Sequence, residues 1–290
     1  STPADAFVSV DGVSTTRTQC RRFSFLPDGL TLTLHKEGYL PGETEVTVIA
    51  GGSTSEEIAL TYIPVTWNIS YVVGAGNFTN VSAIPAFGKG DTIRIWGTEG
   101  HTYEGGFTID KEDVRIMRWE GSPARPLLTN TSQTAPAVTV TAGNVTLQGL
   151  NISENTYAGD GAGVQARGTE GTHLQGFNIT NCVFTGNEVS TAGHDDSGGA
   201  VFITWVDNSR VAGTVFENNI AGEHGGGMFG SHLSTPVLMD SVFTNNSASY
   251  RGGGVYFRES AALTLTGMTF ENNTAGSYGA GVSFYGSNDA

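Results

Sequence analysis

Six side chains carry the chemistry this sequence could perform: Asp160, Asp195, Asp196, Glu223, His224 and Arg251. Each falls just ahead of a glycine-rich turn that recurs along the chain. Counting back four residues from the apolar residue after that turn gives Asp160, Ser197, His224, Arg251 and Tyr278; counting back five gives Gly159, Asp196, Glu223, Tyr250 and Ser277. If successive turns stack, these side chains share one strip of surface. Two carboxylates on neighbouring turns could serve as acid and base on a glycosidic bond. Asp160, Asp195 and Asp196 could instead supply oxygen ligands to calcium. Tyr250 or Tyr278 would offer a stacking face to a sugar ring, so the strip reads as a glycan or cation patch.

The competing reading is a solvated face. The strip changes residue type from turn to turn, and Glu223 beside Arg251 reads as an exposed ion pair of little energetic weight; His224 reads as an exposed side chain. His101, Glu104, Asp110, Glu112 and Asp113 read as loop charge. No nucleophile elbow, P-loop, HExxH or EF-hand loop occurs. No metal site is predicted from the cysteines, because Cys20 and Cys182 are too few and too far apart for a zinc site or a disulfide framework. They read as free thiols.

The strip exists only if the chain repeats, and it does. An apolar residue three before an Asn occurs at Ile152, Phe184, Phe216, Phe243 and Phe270, spaced by 32, 32, 27 and 27 residues. The Asn column is Asn155, Asn187, Asn219, Asn246 and Asn273. A second apolar column follows the glycine turn at Val164, Val201, Met228, Val255 and Val282, and a third lies at Leu147, Ile179, Val211, Leu238 and Leu265. The one irregular spacing is a five-residue insertion holding His194, Asp195 and Asp196. Short β segments separated by turns of fixed length, with no helical period, predict a parallel β-helix. Like residues then lie about 4.8 Å apart along the axis. The rings stack inside, and each Asn amide bonds the next in a structural ladder. A propeller blade would need about 40 residues and four strands. From Asp91 to the last residue the length predicts about seven turns.

Composition agrees with an all-β chain. Of 290 residues 41 are Gly, charged residues make up 14%, and the net charge is −14. Too little Lys and Arg is present for a nucleic-acid binder. Gly, Ser, Thr and Asn disfavour a helical bundle. The glycines lack the three-residue period of collagen, and 38% hydrophobic residues argue against disorder. No apolar run is long enough for a transmembrane helix. The negative charge aids solubility and attracts cations.

Residues 1–63 read as a small antiparallel β-sandwich, with alternation in Thr31-Leu32-Thr33-Leu34 and Glu45-Val46-Thr47-Val48 and glycine turns between. Residues 64–80 read as a linker or cap, and 81–290 as the β-helix. The segments VSVDG (8–12), HKEGYLPGETEVTV (35–48) and GGSTSEEIAL (51–60) resemble the PEGA module of exported prokaryotic proteins, which implies a spacer without a catalytic role. The stretches FTGN…GGAV, FENN…GGGM, FTNN…GGGV and FENN…GAGV resemble the polymorphic outer membrane protein repeat. Residues 90–118 are similar to the opening turns of pectate-lyase-type β-helices. These resemblances imply a right-handed parallel β-helix and leave function open, since the scaffold hosts many activities. Catalytic pectate-lyase-like proteins concentrate acidic ligands and a basic residue on one strand face. Here the acids are scattered, and Arg251 and Arg258 come late.

Nine Asn-x-Ser/Thr triplets, at Asn68, Asn77, Asn80, Asn130, Asn144, Asn151, Asn178, Asn245 and Asn272, suggest an exported chain with N-glycosylation sites. The expectation is therefore an extracellular, non-enzymatic cell-surface protein in adhesion, envelope structure or filament assembly. Its partners would be surface glycans or other envelope proteins, or further copies joined through the open C-terminal end of the solenoid; no nucleic acid is expected. The rival expectation is a carbohydrate-active enzyme, a polysaccharide lyase or glycoside hydrolase. No cofactor other than calcium is suggested.

Overall fold

The computed structural model describes residues 19–26, 29–35, 40, 42–46, 61–71, 76, 78–84, 86–189 and 196–286. The chain divides into two compact units, Ser1–Pro64 and Val65–Ala290. In the first, Gln19–Leu26, Gly29–His35 and Gly42–Val46 form an antiparallel sheet in that order, with an irregularity between Cys20 and Arg22. The alternation at residues 31–34 lies in its central strand. The segments 8–12 and 51–60 lie outside the described residues.

The second unit is a solenoid of parallel strands, and each strand pairs with its counterpart one coil away. Among the described residues, sheet I has seven strands: Phe107–Ile109, Val138–Val140, Val164–Arg167, Val201–Thr204, Met228–Ser231, Val255–Arg258 and Val282–Tyr285. Sheet II has eight, from Thr66–Ile69 and Thr92–Ile95 to Thr264–Thr266. Sheet III has seven, from Thr102–Glu104 to Thr269–Glu271, and sheet IV has five two-residue strands, from Thr156–Tyr157 to Thr274–Ala275. Seven strands of sheet II follow Asp91, one per coil.

All three apolar columns stand in register. Ile152, Phe184, Phe216, Phe243 and Phe270 pair in sequence in sheet III. Val164, Val201, Met228, Val255 and Val282 do so in sheet I, as do Leu147, Ile179, Val211, Leu238 and Leu265 in sheet II. They point into one continuous core. Phe184, Phe216 and Phe243 are fully buried, their rings parallel within 6° and centred 5.0 and 4.3 Å apart. The coil repeat is close to a ring thickness plus contact distance, so aromatics fill the interior as a stack without gaps.

The corners depend on residues able to adopt left-handed backbone or to tolerate close approach. Gly225 has φ +65, and a Cβ on Gly226 would overlap the backbone carbonyls of Gly253 and Ser247. Only glycine fits where consecutive coils press together that closely.

Part of the segment expected as a linker or cap lies within the solenoid. Thr66–Ile69 is already a solenoid strand, parallel to Thr92–Ile95. Asp91 ties it down: the fully buried carboxylate accepts from Val65 N at 2.7 Å, Trp67 Nε1 at 2.9 Å and Gly88 N at 2.8 Å. Charge-assisted bonds of this kind offset its desolvation. Repeat spacing did not reveal this coil because its strand lacks the Phe-x-x-Asn signature.

Cys182 is free and fully buried, and burial raises its thiol pKa to about 11. A thiol with so little thiolate and no access is inert. Cys182 is therefore expected to resist a disulfide-exchange reagent in the folded chain and to react on denaturation; rapid labelling of Cys182 in the native protein, located by peptide mapping, would contradict its position in the core.

Candidate functional site

The strip forms where sheet IV leads into sheet I. His224 bridges to Arg251 and Arg251 to Tyr278 in parallel fashion, and the backbone N–H of Glu223 donates to Asp196 O at 2.9 Å. Asp160, Asp196, Glu223, His224 and Arg251 therefore do lie along successive coils. Asp195 lies outside the described residues.

The strip is solvated only in part: Tyr250 and Tyr278 are 39% and 61% exposed, whereas Asp196 is buried and Asp160, Glu223, His224 and Arg251 are half-buried. Sheet I carries a second, outward-pointing aromatic column, Phe202, Phe229 and Tyr256, in register and 6%, 7% and 2% exposed. His224 from the strip and Arg167 from the end of a sheet I strand cover part of it. The His224 ring stacks on Tyr256 at 4.4 Å and 22°, its side chain only 16% exposed. The Arg167 guanidinium lies 4.8 Å from the Phe202 ring centre. This corrects the expectation of an exposed His224. The aromatic column was legible in the sequence as the residue after Val201, Met228 and Val255, but alternation alone assigns that position to solvent.

Each polar group on the strip has work inside the turns. Asp160 pairs with Arg167 at 2.7 Å and accepts from Ser197 N at 3.0 Å. Burial pushes its carboxyl above the ordinary aspartate range against the pull of those two partners, and the charge of Asp196 adds to the push. Asp196 is itself buried, 8% exposed. Glu223 lies 3.6 Å from His224 Nε2. Arg251 sits among three tyrosine rings, at 4.7 Å from Tyr250, 5.1 Å from Tyr278 and 5.4 Å from Tyr285, and its bond to Tyr256 holds its pKa up. Among the described residues no group of three or more His, Cys, Asp or Glu side chains converges as a metal site.

The raised pKa of Asp160 has a definite sign. The folded chain holds that proton more tightly than the unfolded chain, so the contribution of Asp160 to stability is greatest in acid. It declines as pH rises from the ordinary aspartate value through the raised one. In Asp160→Asn this decline is expected to disappear, as read from the change in urea midpoint between about pH 4 and about pH 7; an unchanged pH slope would show that Asp160 is not the group responsible.

A second cluster escaped sequence reading. Trp205 and His232, both in left-handed conformation at the end of sheet I strands, stack at 3.9 Å and 16°. His232 Nε2 meets Glu259 at 2.6 Å, and His173 Nδ1 meets Asp207 at 2.9 Å beside the Trp205 ring. The bonds from His173 and Gln175 outweigh burial and lower the Asp207 pKa. These residues differ in type from coil to coil, so no column announces them.

The asparagines within the coils form a continuous hydrogen-bonded series. Nδ2 of Asn155, Asn187, Asn219 and Asn246 donates to Oδ1 of the next Asn at 2.8, 2.9, 2.9 and 3.0 Å. Asn130 heads it through its backbone N–H, 2.6 Å from Asn155 Oδ1. The ladder is structural: Asn155, Asn187, Asn219 and Asn246 are all buried.

Comparison with curated proteins finds no match, and comparison with solved structures finds none. Residues 129–290, more than half of the chain, match the family described as the right-handed β-helix region. Surface proteins and pectate-lyase-like enzymes both use this fold. With its stacked parallel sheets and in-register columns, the chain belongs to the right-handed β-helix family.

Proposed function

We propose that this is an exported, non-enzymatic cell-surface protein that acts by contact, in adhesion, envelope structure or filament assembly. The observation that carries the reading is the engagement of the strip's charged side chains. Asp160 is held by Arg167 and Ser197, Asp196 is buried, His224 covers Tyr256, and Arg251 is packed among tyrosines. Groups committed to holding turns together are poorly placed to change partners during a reaction. A stack of coils is stiff and offers a long side face to surface glycans or envelope proteins, and a PEGA-like first unit would act as its spacer.

One observation favours the rival reading of a polysaccharide lyase or glycoside hydrolase: Asp160 and Asp196 are neighbouring carboxyls, and the pKa of Asp160 is raised, as an acid catalyst requires. Both readings meet in one experiment, in which the full chain is applied to a glycan array and incubated with soluble polysaccharides. Retention of a glycan with no new reducing ends or unsaturated sugars is the expected result. Cleavage that is lost in Asp160→Asn or Asp196→Asn would overturn the contact reading in favour of the enzyme.

A further inference from the structure

We propose that Asn144, Asn245 and Asn272 are the N-glycan acceptors of this chain. The inference rests on the reading that the protein works outside the cell. The nine triplets are equivalent as sequence, and the fold separates them. A sugar is attached to the side-chain amide nitrogen, so an Asn whose amide is needed inside the fold cannot carry one in the folded product.

Asn130 is 3% exposed. Its Nδ2 donates to Ala135 O at 2.7 Å, and its Oδ1 accepts from Ser132 N and Oγ at 3.0 and 2.7 Å. Asn130 is therefore left out of the proposed acceptors. Asn80 and Asn151 are half-buried, which sets them apart from an exposed acceptor; their Oδ1 atoms, which a glycosylated Asn would keep, accept from Val81 N at 2.8 Å and from the hydroxyl of Ser153. Asn68 and Asn178 are half-buried within sheet II strands, beside Arg94 and Arg210. Asn77 lies outside the described residues.

Asn144, Asn245 and Asn272 differ from these in two respects. All three are exposed, and all three sit at coil corners in left-handed conformation, with φ of 56, 55 and 52. For Asn245 and Asn272 the following residue is the inward-pointing ladder Asn, Asn246 or Asn273. The acceptor lies on the outside of the corner while the ladder Asn that follows it is turned inward. Both occupy the corner between sheets III and IV on adjacent coils. Asn218 continues that corner with φ 55, but Ile220 stands where the triplet needs Ser or Thr. Asn144 leans its Oδ1 over Gly176, where a Cβ would fall within 2.6 Å.

Left-handed backbone favours Asn on conformational grounds alone, so the hydroxyl residues two places on must be shown to matter. The full chain is secreted from cultured cells that perform N-glycosylation. It is then treated with an amidase that converts glycosylated Asn to Asp in heavy-oxygen water, and the peptides are mapped. Label is expected at Asn144, Asn245 and Asn272 and absent at Asn130. Ser247→Ala and Thr274→Ala are each expected to lower the intact mass by one glycan. Label at Asn130 equal to that at Asn245, three unlabelled sites on a folded secreted chain, or unchanged mass in both variants would overturn the assignment. Polysaccharide cleavage by the same preparation would instead overturn the contact reading and leave the acceptor assignment standing.

Discussion

Phe243→Ala is expected to lower the unfolding free energy by about 3–5 kcal/mol, read from chemical denaturation of the full chain. Phe243 is fully buried, stacked between Phe216 at 4.3 Å and Phe270 at 5.3 Å, with Gly227 packed against its ring edge. Removing the ring leaves a cavity that cannot collapse. The coil spacing above and below is set by backbone hydrogen bonds such as Asn218 N to Thr244 O at 3.1 Å and Val242 N to Thr214 O at 3.0 Å. The neighbouring rings cannot slide along the axis to fill the space without breaking these bonds. A loss below about 1 kcal/mol would mean that the ring is not in the interior stack.

Asn219→Ala tests the polar counterpart of that stack, with an expected loss of about 3–5 kcal/mol built from unpaired groups at about 1–3 kcal/mol each. Asn219 Oδ1 accepts from the backbone N–H of Asn187 at 3.0 Å and from its Nδ2 at 2.9 Å; Asn219 Nδ2 donates to Phe184 O at 3.0 Å and to Asn246 Oδ1 at 2.9 Å. All of these partners are buried. Truncation strands two donors on Asn187 and the carbonyl of Phe184 in a buried site. Asn219→Asp is expected to be no milder. It keeps the acceptor but removes both donors, and it places a negative charge against Asn246 Oδ1 and the Phe184 carbonyl. A near-neutral result for both variants would show that the ladder is ornamental and that the corner is held by backbone pairing alone.

A feature of this fold is legible in the sequence when it repeats. Phe184, Phe216 and Phe243, the valine column of sheet I and the asparagines at 27- and 32-residue spacing could be aligned from sequence because stacking selects like residues at like positions. A parallel coil puts each side chain directly over its counterpart, so packing constraints become periodic in sequence. The strip could be located for the same reason, since its place in the coil is a fixed count from the glycine turn.

Its character could not be inferred. Whether Asp160 faces water or Arg167 depends on how far the turn folds over sheet I. Likewise, His224 is covered because Tyr256, 32 residues away, presents a ring to it. The first coil was missed because Thr66–Ile69 joins through backbone pairing and the carboxylate of Asp91, neither of which leaves a repeated residue type. Asn130 looked like the other triplets until the loop to Pro136 closed over its amide.

The winding of the chain, the interior columns and the ladder are written in the order of its residues, because these obey one local rule restated in every coil. Which polar side chains are engaged and which face solvent emerges with the fold. That outcome depends on contacts between residues of different type, brought together by turns whose paths no single repeat encodes.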